Sequence, residues 1–285
     1  MRWNPNTMVV SRKKFGFVVV PTLLTLGNGV CGLGSISMAT LGPDELGETT
    51  AILCAGVFIF VGMMFDGLDG YVARMMKQTS KFGAELDSLC DVITFTVAPV
   101  FIMLRLTDVF PLRFLWGIGV LFMLCGLLRL ARFNVELDPD EEPEWFRGLP
   151  TPAAAGTLAS FAVALPAVDR LASDTMSEAS RQLGEQIIEI TAYSLPVLTV
   201  ALAGLMVSRI RYPHILCQWT RGQWNFSNLV RLIFVAVALV TVHELALPLV
   251  LCCFALGSPV AVWMRFIGIR VRGGLSSFRL PGTGV

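Results

Sequence analysis

Charge is scarce in this chain. Asp, Glu, Lys and Arg make up 15% of its 285 residues, and hydrophobic side chains make up 54%; a soluble domain carries about 25% charge. With a mean hydropathy of +0.68, that shortage excludes an ordinary soluble globular protein and points to a polytopic membrane protein. Histidine is nearly missing: His214 and His243 stand alone, without a partner pattern, and are assigned no chemistry. The seven cysteines (31, 54, 90, 125, 217, 252 and 253) form no CxxC pair and mostly sit inside apolar runs. They read as small buried hydrophobes rather than as a disulfide or metal framework. No internal repeat, low-complexity tract or soluble domain is visible, and no pattern calls for nucleic acid. A cleavable leader is also not expected. Arg2, Arg12, Lys13 and Lys14 precede an apolar stretch at 17–41 that is too long for a signal h-region and has no small-residue cleavage site.

What the chain has instead is long apolar runs. A membrane helix takes about 20 such residues. The expected spans are 17–41, 50–75, 87–107, 112–131, 151–168, 186–207, 227–243 and 245–264. The fold class expected is therefore all-α, a polytopic membrane helix bundle. Its division would be a segment at 1–16, membrane-spanning stretches at 17–207 and 208–264, and a tail at 265–285. With the N-terminus placed inside, only Arg105, Arg113, Arg170 and Arg181 of the 22 Lys and Arg fall in outside segments. The other 18 fall inside, the bias that sets membrane orientation. Both termini and the 74–83 loop are thus expected in the cytoplasm, in the inner membrane of the cell.

Against this background four aspartates stand out. Asp66-Gly-Leu-Asp69-Gly70-Tyr-Val-Ala73-Arg74 is followed by Gly83 and then by Ala-Glu-Leu-Asp87-Ser-Leu-Cys-Asp91. The pattern is D-x2-D-G-x2-A-R-x8-G-x3-D-x3-D, and it abuts the apolar run 54–65. Carboxylates beside hydrocarbon are costly and mark function. Asp66 and Asp69 are three apart and Asp87 and Asp91 four apart, so each pair shares a helix face. A short turn carrying Gly83 would fold the two faces together. Carboxylates so gathered take up protons unless a cation neutralises them. Hard divalent ions with oxygen ligands suit the set, Mg2+ or Mn2+ and two ions rather than one. Such metals clamp phosphates and stabilise charge in phosphoryl transfer. Gly67, Gly70, Ala73 and Gly83 let a ligand or a neighbouring helix come close. Arg74 offers bidentate phosphate contacts, and Lys77 and Lys81 add positive charge.

This pattern resembles, at every specified position, the signature of the CDP-alcohol phosphatidyltransferase family. These are membrane enzymes that move a phosphatidyl group from a CDP-linked lipid to an alcohol and release CMP. The resemblance implies a six-helix core with a polar cavity open to the cytoplasm, so that about two C-terminal helices would be additions. It implies that Asp66, Asp69 and Asp87 ligate the metals, with Asp91 close by and counted with them, and that Asp91 acts as general base on the acceptor hydroxyl. It also implies that Gly70, Ala73, Arg74 and Gly83 line the CDP site.

The flanking segments are similar to the phosphatidylserine synthase branch of the family. They are Pro21-Thr-Leu-Leu-Thr25-Leu-Gly-Asn28-Gly-Val-Cys31-Gly32, Leu128-Arg129-Leu-Ala-Arg132-Phe133-Asn134, and Gly148-Leu-Pro150-Thr-Pro152. The branch usually has asparagine where this chain has Thr22. The implied substrates are CDP-diacylglycerol and L-serine, met in the lipid bilayer; a homodimer is compatible with such a bundle. Glycerol phosphate, inositol phosphate or choline as acceptor is the alternative, and a cation transporter the remote one. Arg129 and Arg132 are suited to a serine carboxylate or to anchoring a helix end. Asn134 reads as a serine contact or a cap. Thr25 and Asn28 share a face and touch either the CDP group or a neighbouring helix. Gly148, Pro150 and Pro152 read as the chain re-entering the membrane, with proline near a helix start.

Overall fold

A computed structural model describes residues 12–41, 47–75, 81–136, 145–173, 176–208, 210–213 and 246–266. The expected span 227–243 lies outside the described residues, as do His214 and His243. In chain order the described elements are α1 (Arg12–Thr40), α2 (Glu48–Met75), α3 (Lys81–Asp91), a π-helical turn (Val92–Val97) and α4 (Ala98–Leu106). Then come α5 (Leu112–Glu136), β1 (Trp145–Arg147), α6 (Thr151–Ala172), α7 (Glu178–Val207), β2 (Arg211–Pro213) and α8 (Ala246–Phe266). Among the described residues six helical segments are long and apolar enough to cross a membrane, with α3, the π turn and α4 forming one of them. The all-α bundle expected from the apolar runs is therefore present. The strands are a minor addition, a two-stranded antiparallel ribbon pairing Phe146 with Tyr212.

Close packing rests on small residues. Membrane helices gain nothing from hiding apolar surface from lipid, so they associate where backbones can approach. Ala155, Ala159 and Ala162 of α6 are fully buried and recur at helical spacing. They face α2, where a Cβ at Gly56 would lie 2.8 Å from the Ala159 carbonyl oxygen. A second cluster joins Leu115 and Phe122 of α5, Leu158 of α6 and Leu195 and Leu202 of α7. Ala255 of α8 is buried in the same cluster, so α8 packs on the core rather than standing apart.

Three local features differ from expectation. Gly83 lies inside α3, not in the turn before it. The reason is amphipathic pattern: Phe82 and Leu89 of α3 are exposed at 72% and 64%, on the side away from Asp87, Cys90 and Asp91, and that pattern carries the helix through a single glycine. Next, α7 begins at Glu178, two turns before the expected 186. Ser177 caps it by accepting from the Ser180 N–H, and Arg181 pairs with Glu185 one turn on; these polar contacts extend a helix beyond the apolar run. The third feature is the π turn. Pro99 has no N–H for the Phe95 carbonyl, and its ring crowds that oxygen. The chain responds with a wider turn, in which the Ala98 N–H bonds the Ile93 carbonyl.

Gly148 has φ +83° and sits against the carbonyl oxygens of Met206 and Ser208, a position only glycine fits. Its N–H donates to Ile210 (2.8 Å) and the Leu149 N–H to Leu205 (3.0 Å). The chain entering α6 is thereby stitched to the end of α7. Pro152 follows at the start of α6, as expected for re-entry into the membrane.

Gly56→Ala should lower the melting temperature in detergent, at a cost of about 1–3 kcal/mol from overpacking. Gly117→Ala, where a Cβ meets nothing within 4 Å, should be neutral or stabilising by up to about 1 kcal/mol. Equal melting points for the two variants would show that this glycine contact does not hold α2 to α6.

Candidate active site

The alternation of the spans gathers one set of helix ends together. The C-terminal part of α2, the start of α3, the end of α5, the start of α6 and the end of α7 all lie at the same end of the bundle. Arg129 of α5 donates to the Thr151 hydroxyl of α6 at 3.1 Å, and Arg132 of α5 reaches the Val207 carbonyl of α7 at 3.5 Å. The opposite end holds Glu48 paired with Arg105 at 3.0 Å, and Thr49 hydrogen-bonded to Asp169.

At the first end, Asp66 and Asp69 on α2 meet Asp87 on α3. One carboxylate oxygen from each lies within 4.8 Å of the others. Both α2 and α3 pack against α1, and the three- and four-residue spacings keep the acids of each helix on one face. Asp69 is 5% exposed, and its Oδ2 accepts from the Thr25 hydroxyl of α1 at 2.8 Å. The same hydroxyl lies 3.1 Å from the Pro21 carbonyl, but it has one proton to give. The nearer, charged acceptor takes it, a bond of a kind that contributes about 1.5–3 kcal/mol. Asp87 Oδ1 is buried and has no hydrogen-bond partner.

The residues fit a divalent metal. Three hard carboxylate donors converge, and an orphaned buried oxygen on one of them has no protein group to satisfy it. Beside them, a Cβ at Gly67 or Gly70 would meet nothing within 4 Å, so open space adjoins the carboxylates. Asp91 stands outside the triad. Its Oδ1 accepts from Asn28 Nδ2 at 2.9 Å, within electrostatic reach of Asp66 and Asp87.

A match to the model of the CDP-alcohol phosphatidyltransferase family covers residues 18–206. The chain belongs to the CDP-alcohol phosphatidyltransferase family. It is 32% identical over 226 residues to the CDP-diacylglycerol–serine O-phosphatidyltransferase of Helicobacter pylori, covering 79% of this chain and 82% of that one. To the enzyme of the same name from Bacillus subtilis it is 31% identical over 214 residues, covering 72% of this chain and 98% of that one. It is also 36% identical over 157 residues to the archaetidylserine synthase of Methanothermobacter thermautotrophicus, covering 54% of this chain and 62% of that one. The family match ends at residue 206, at the close of α7; α8 lies beyond it.

The other expected site residues of this phosphatidyltransferase fall as follows. Thr25 and Asn28, at 4% and 0% exposed, turn to the carboxylates of Asp69 and Asp91. Gly70 borders the open space. Gly83 is in the first turn of α3, and the backbones of Ala73, Arg74, Lys81 and Asn134 lie in α2, α3 and α5; their side chains lie outside what is described, and Lys77 outside the described residues. Arg129 is 9% exposed, a buried guanidinium 5.4 Å over the Phe133 ring. It lies within electrostatic reach of Asp91 and Asp66. Arg132 of α5 is at the rim and reaches the end of α7. Two residues were not foreseen. Thr151 holds Arg129, and Thr94 donates to the Asn28 carbonyl at 2.8 Å. A threonine three residues after Asp91, on the same helical face, was the available signal for the second.

If the triad holds a divalent cation, Mg2+ or Mn2+ should raise the melting temperature; at about 100 times Kd the gain is about 2.7 kcal/mol. Asp87→Asn relieves repulsion among the carboxylates, so it should raise the metal-free melting point while abolishing the metal-induced rise. A variant that still responds to metal as the unsubstituted protein does would remove Asp87 from the ligand set.

Proposed function

We propose that the protein transfers the phosphatidyl group of CDP-diacylglycerol to the hydroxyl of L-serine, giving phosphatidylserine and CMP. The observation that carries this is the convergence of Asp66, Asp69 and Asp87 beside open space at one end of a membrane bundle, in a chain of this family. The names of its relatives add serine as the acceptor. Held by the three carboxylates, Mg2+ or Mn2+, as one ion or two, would neutralise the donor pyrophosphate and the departing CMP. The site and both termini face the cytoplasm of the cell in its inner membrane, as the distribution of Lys and Arg favours.

In this reading the chain's own groups divide the work. Gly70, with Ala73, Arg74, Gly83 and Lys81, borders the nucleotide. Thr25 keeps Asp69 turned inward. Asp91 takes the proton of the serine hydroxyl as its oxygen bonds to the phosphorus nearer the diacylglycerol, and the bond from that phosphorus to the CMP oxygen breaks. Arg129 receives the serine carboxylate. It is buried yet its guanidinium is satisfied only in part by the Thr151 hydroxyl, which leaves donors for a bidentate anion. Arg132 and Asn134 stand further along the same helix end and complete that side.

Purified protein given CDP-diacylglycerol should release CMP with serine, and not with glycerol phosphate, inositol phosphate or choline. Arg129→Lys keeps the charge but loses the planar fork. It should raise KM for serine about tenfold or more and leave KM for CDP-diacylglycerol unchanged. Equal changes in both constants would make Arg129 a structural residue.

A further inference from the structure

We infer that Thr94 and Asn28 are positioning residues that hold Asp91 in its working orientation; this rests on the reading of Asp91 as the base. Asn28 is fully buried, and its Nδ2 donates to Asp91 Oδ1 at 2.9 Å. Its own Oδ1 has no hydrogen-bond partner. A buried acceptor left unmatched is unfavourable, and an apolar side chain of the same size would avoid it. What the amide gains in exchange is the bond to Asp91. The turned-over amide would set its oxygen against the carboxylate, so Asp91 also fixes which way the amide lies.

Thr94 closes the arrangement. It is fully buried, and its hydroxyl donates to the main-chain carbonyl of Asn28 at 2.8 Å, using the second lone pair of an oxygen inside α1. Two glycines clear the space. A Cβ at Gly32 would lie 2.8 Å from Thr94 Cα, and one at Gly62 would lie 2.6 Å from Thr94 Cγ2 and 3.0 Å from Asn28 Oδ1. Thr94 sits in the π turn that begins directly after Asp91. The helix that carries the carboxylate therefore grips α1 by its backbone, and α1 returns an amide to that same carboxylate. With Oδ1 tied to Asn28, proton transfer falls to the other oxygen of Asp91.

Thr94→Val keeps the shape and removes the hydroxyl, whereas Thr94→Ser keeps the hydroxyl. Asn28→Leu removes the charge-assisted hydrogen bond to Asp91 and should lower kcat about tenfold or more; Thr94→Val removes the neutral bond to the Asn28 carbonyl behind it and should lower kcat about fivefold or more. KM for serine and for CDP-diacylglycerol should stay within about twofold, and the metal-induced rise in melting temperature should persist. Thr94→Ser should recover most of kcat. In an Asp91→Asn background, Asn28→Leu should cause no further loss. Should Asn28→Leu fail to fold, the Val and Ser variants at Thr94 still decide the matter. Normal kcat in Thr94→Val, or a parallel loss of KM, metal response and stability, overturns the inference while leaving the base in place. Near-normal kcat in Asp91→Asn overturns the reading of Asp91 and this inference with it.

Discussion

Repulsion among carboxylates is the constraint around which this bundle is arranged. At 4.8 Å, two unit charges in a partly buried setting repel by about 3 kcal/mol, and three such groups gather where the helices meet hydrocarbon. The neighbouring side chains answer that charge one group at a time. Thr25 gives a hydroxyl to Asp69, Asn28 an amide to Asp91, and Arg129 lies within reach of Asp66 and Asp91. The protein leaves Asp87 Oδ1 without a donor. Three carboxylates gathered in this way suit a hard divalent cation, and α1, α2, α3 and α5 each bring one part of the answer to their charge.

The same helices show two faces. Met64 and Leu68 of α2, and Phe82 and Leu89 of α3, are between 47% and 72% exposed, while the aspartates between them turn inward. Because the acids stand three and four positions apart on their helices, they share one face, and the exposed apolar side chains occupy the other. A substrate carried on acyl chains therefore finds the polar groups beside the hydrocarbon its chains already occupy.

Much of this was legible in the sequence, because its causes are local. Span length follows from apolar runs, and the grouping of the acids follows from spacing on two neighbouring helices. The re-entry at Gly148 to Pro152 was readable because proline and glycine impose one backbone geometry each. What could not be read depended on partners distant in the chain. Thr94 in Val-Ile-Thr-Phe-Thr-Val looks like any β-branched residue in an apolar run until Asn28, 66 residues earlier, is known to lie beside it. Thr151 becomes more than a helix-start residue only through Arg129. Gly83 was misplaced because a glycine between two helices reads as punctuation, while the pattern of Phe82, Leu89 and the acids was strong enough to hold it in a helix. Thr25 and Asn28 were correctly placed on one face, but which neighbour they face is a tertiary fact.

The wide turn at Val92–Val97 makes chain length in the third span a geometric quantity. Each residue of a helix advances the side-chain direction by about 100°. Deleting one amino acid between Asp91 and Pro99 would let ordinary helical hydrogen bonding resume up to the proline. It would also swing the acids around the helix axis relative to Phe95, Val100 and Ile102, which are wedged in the core. A single-codon loss there would uncouple the chemistry from the scaffold without removing any side chain that performs it.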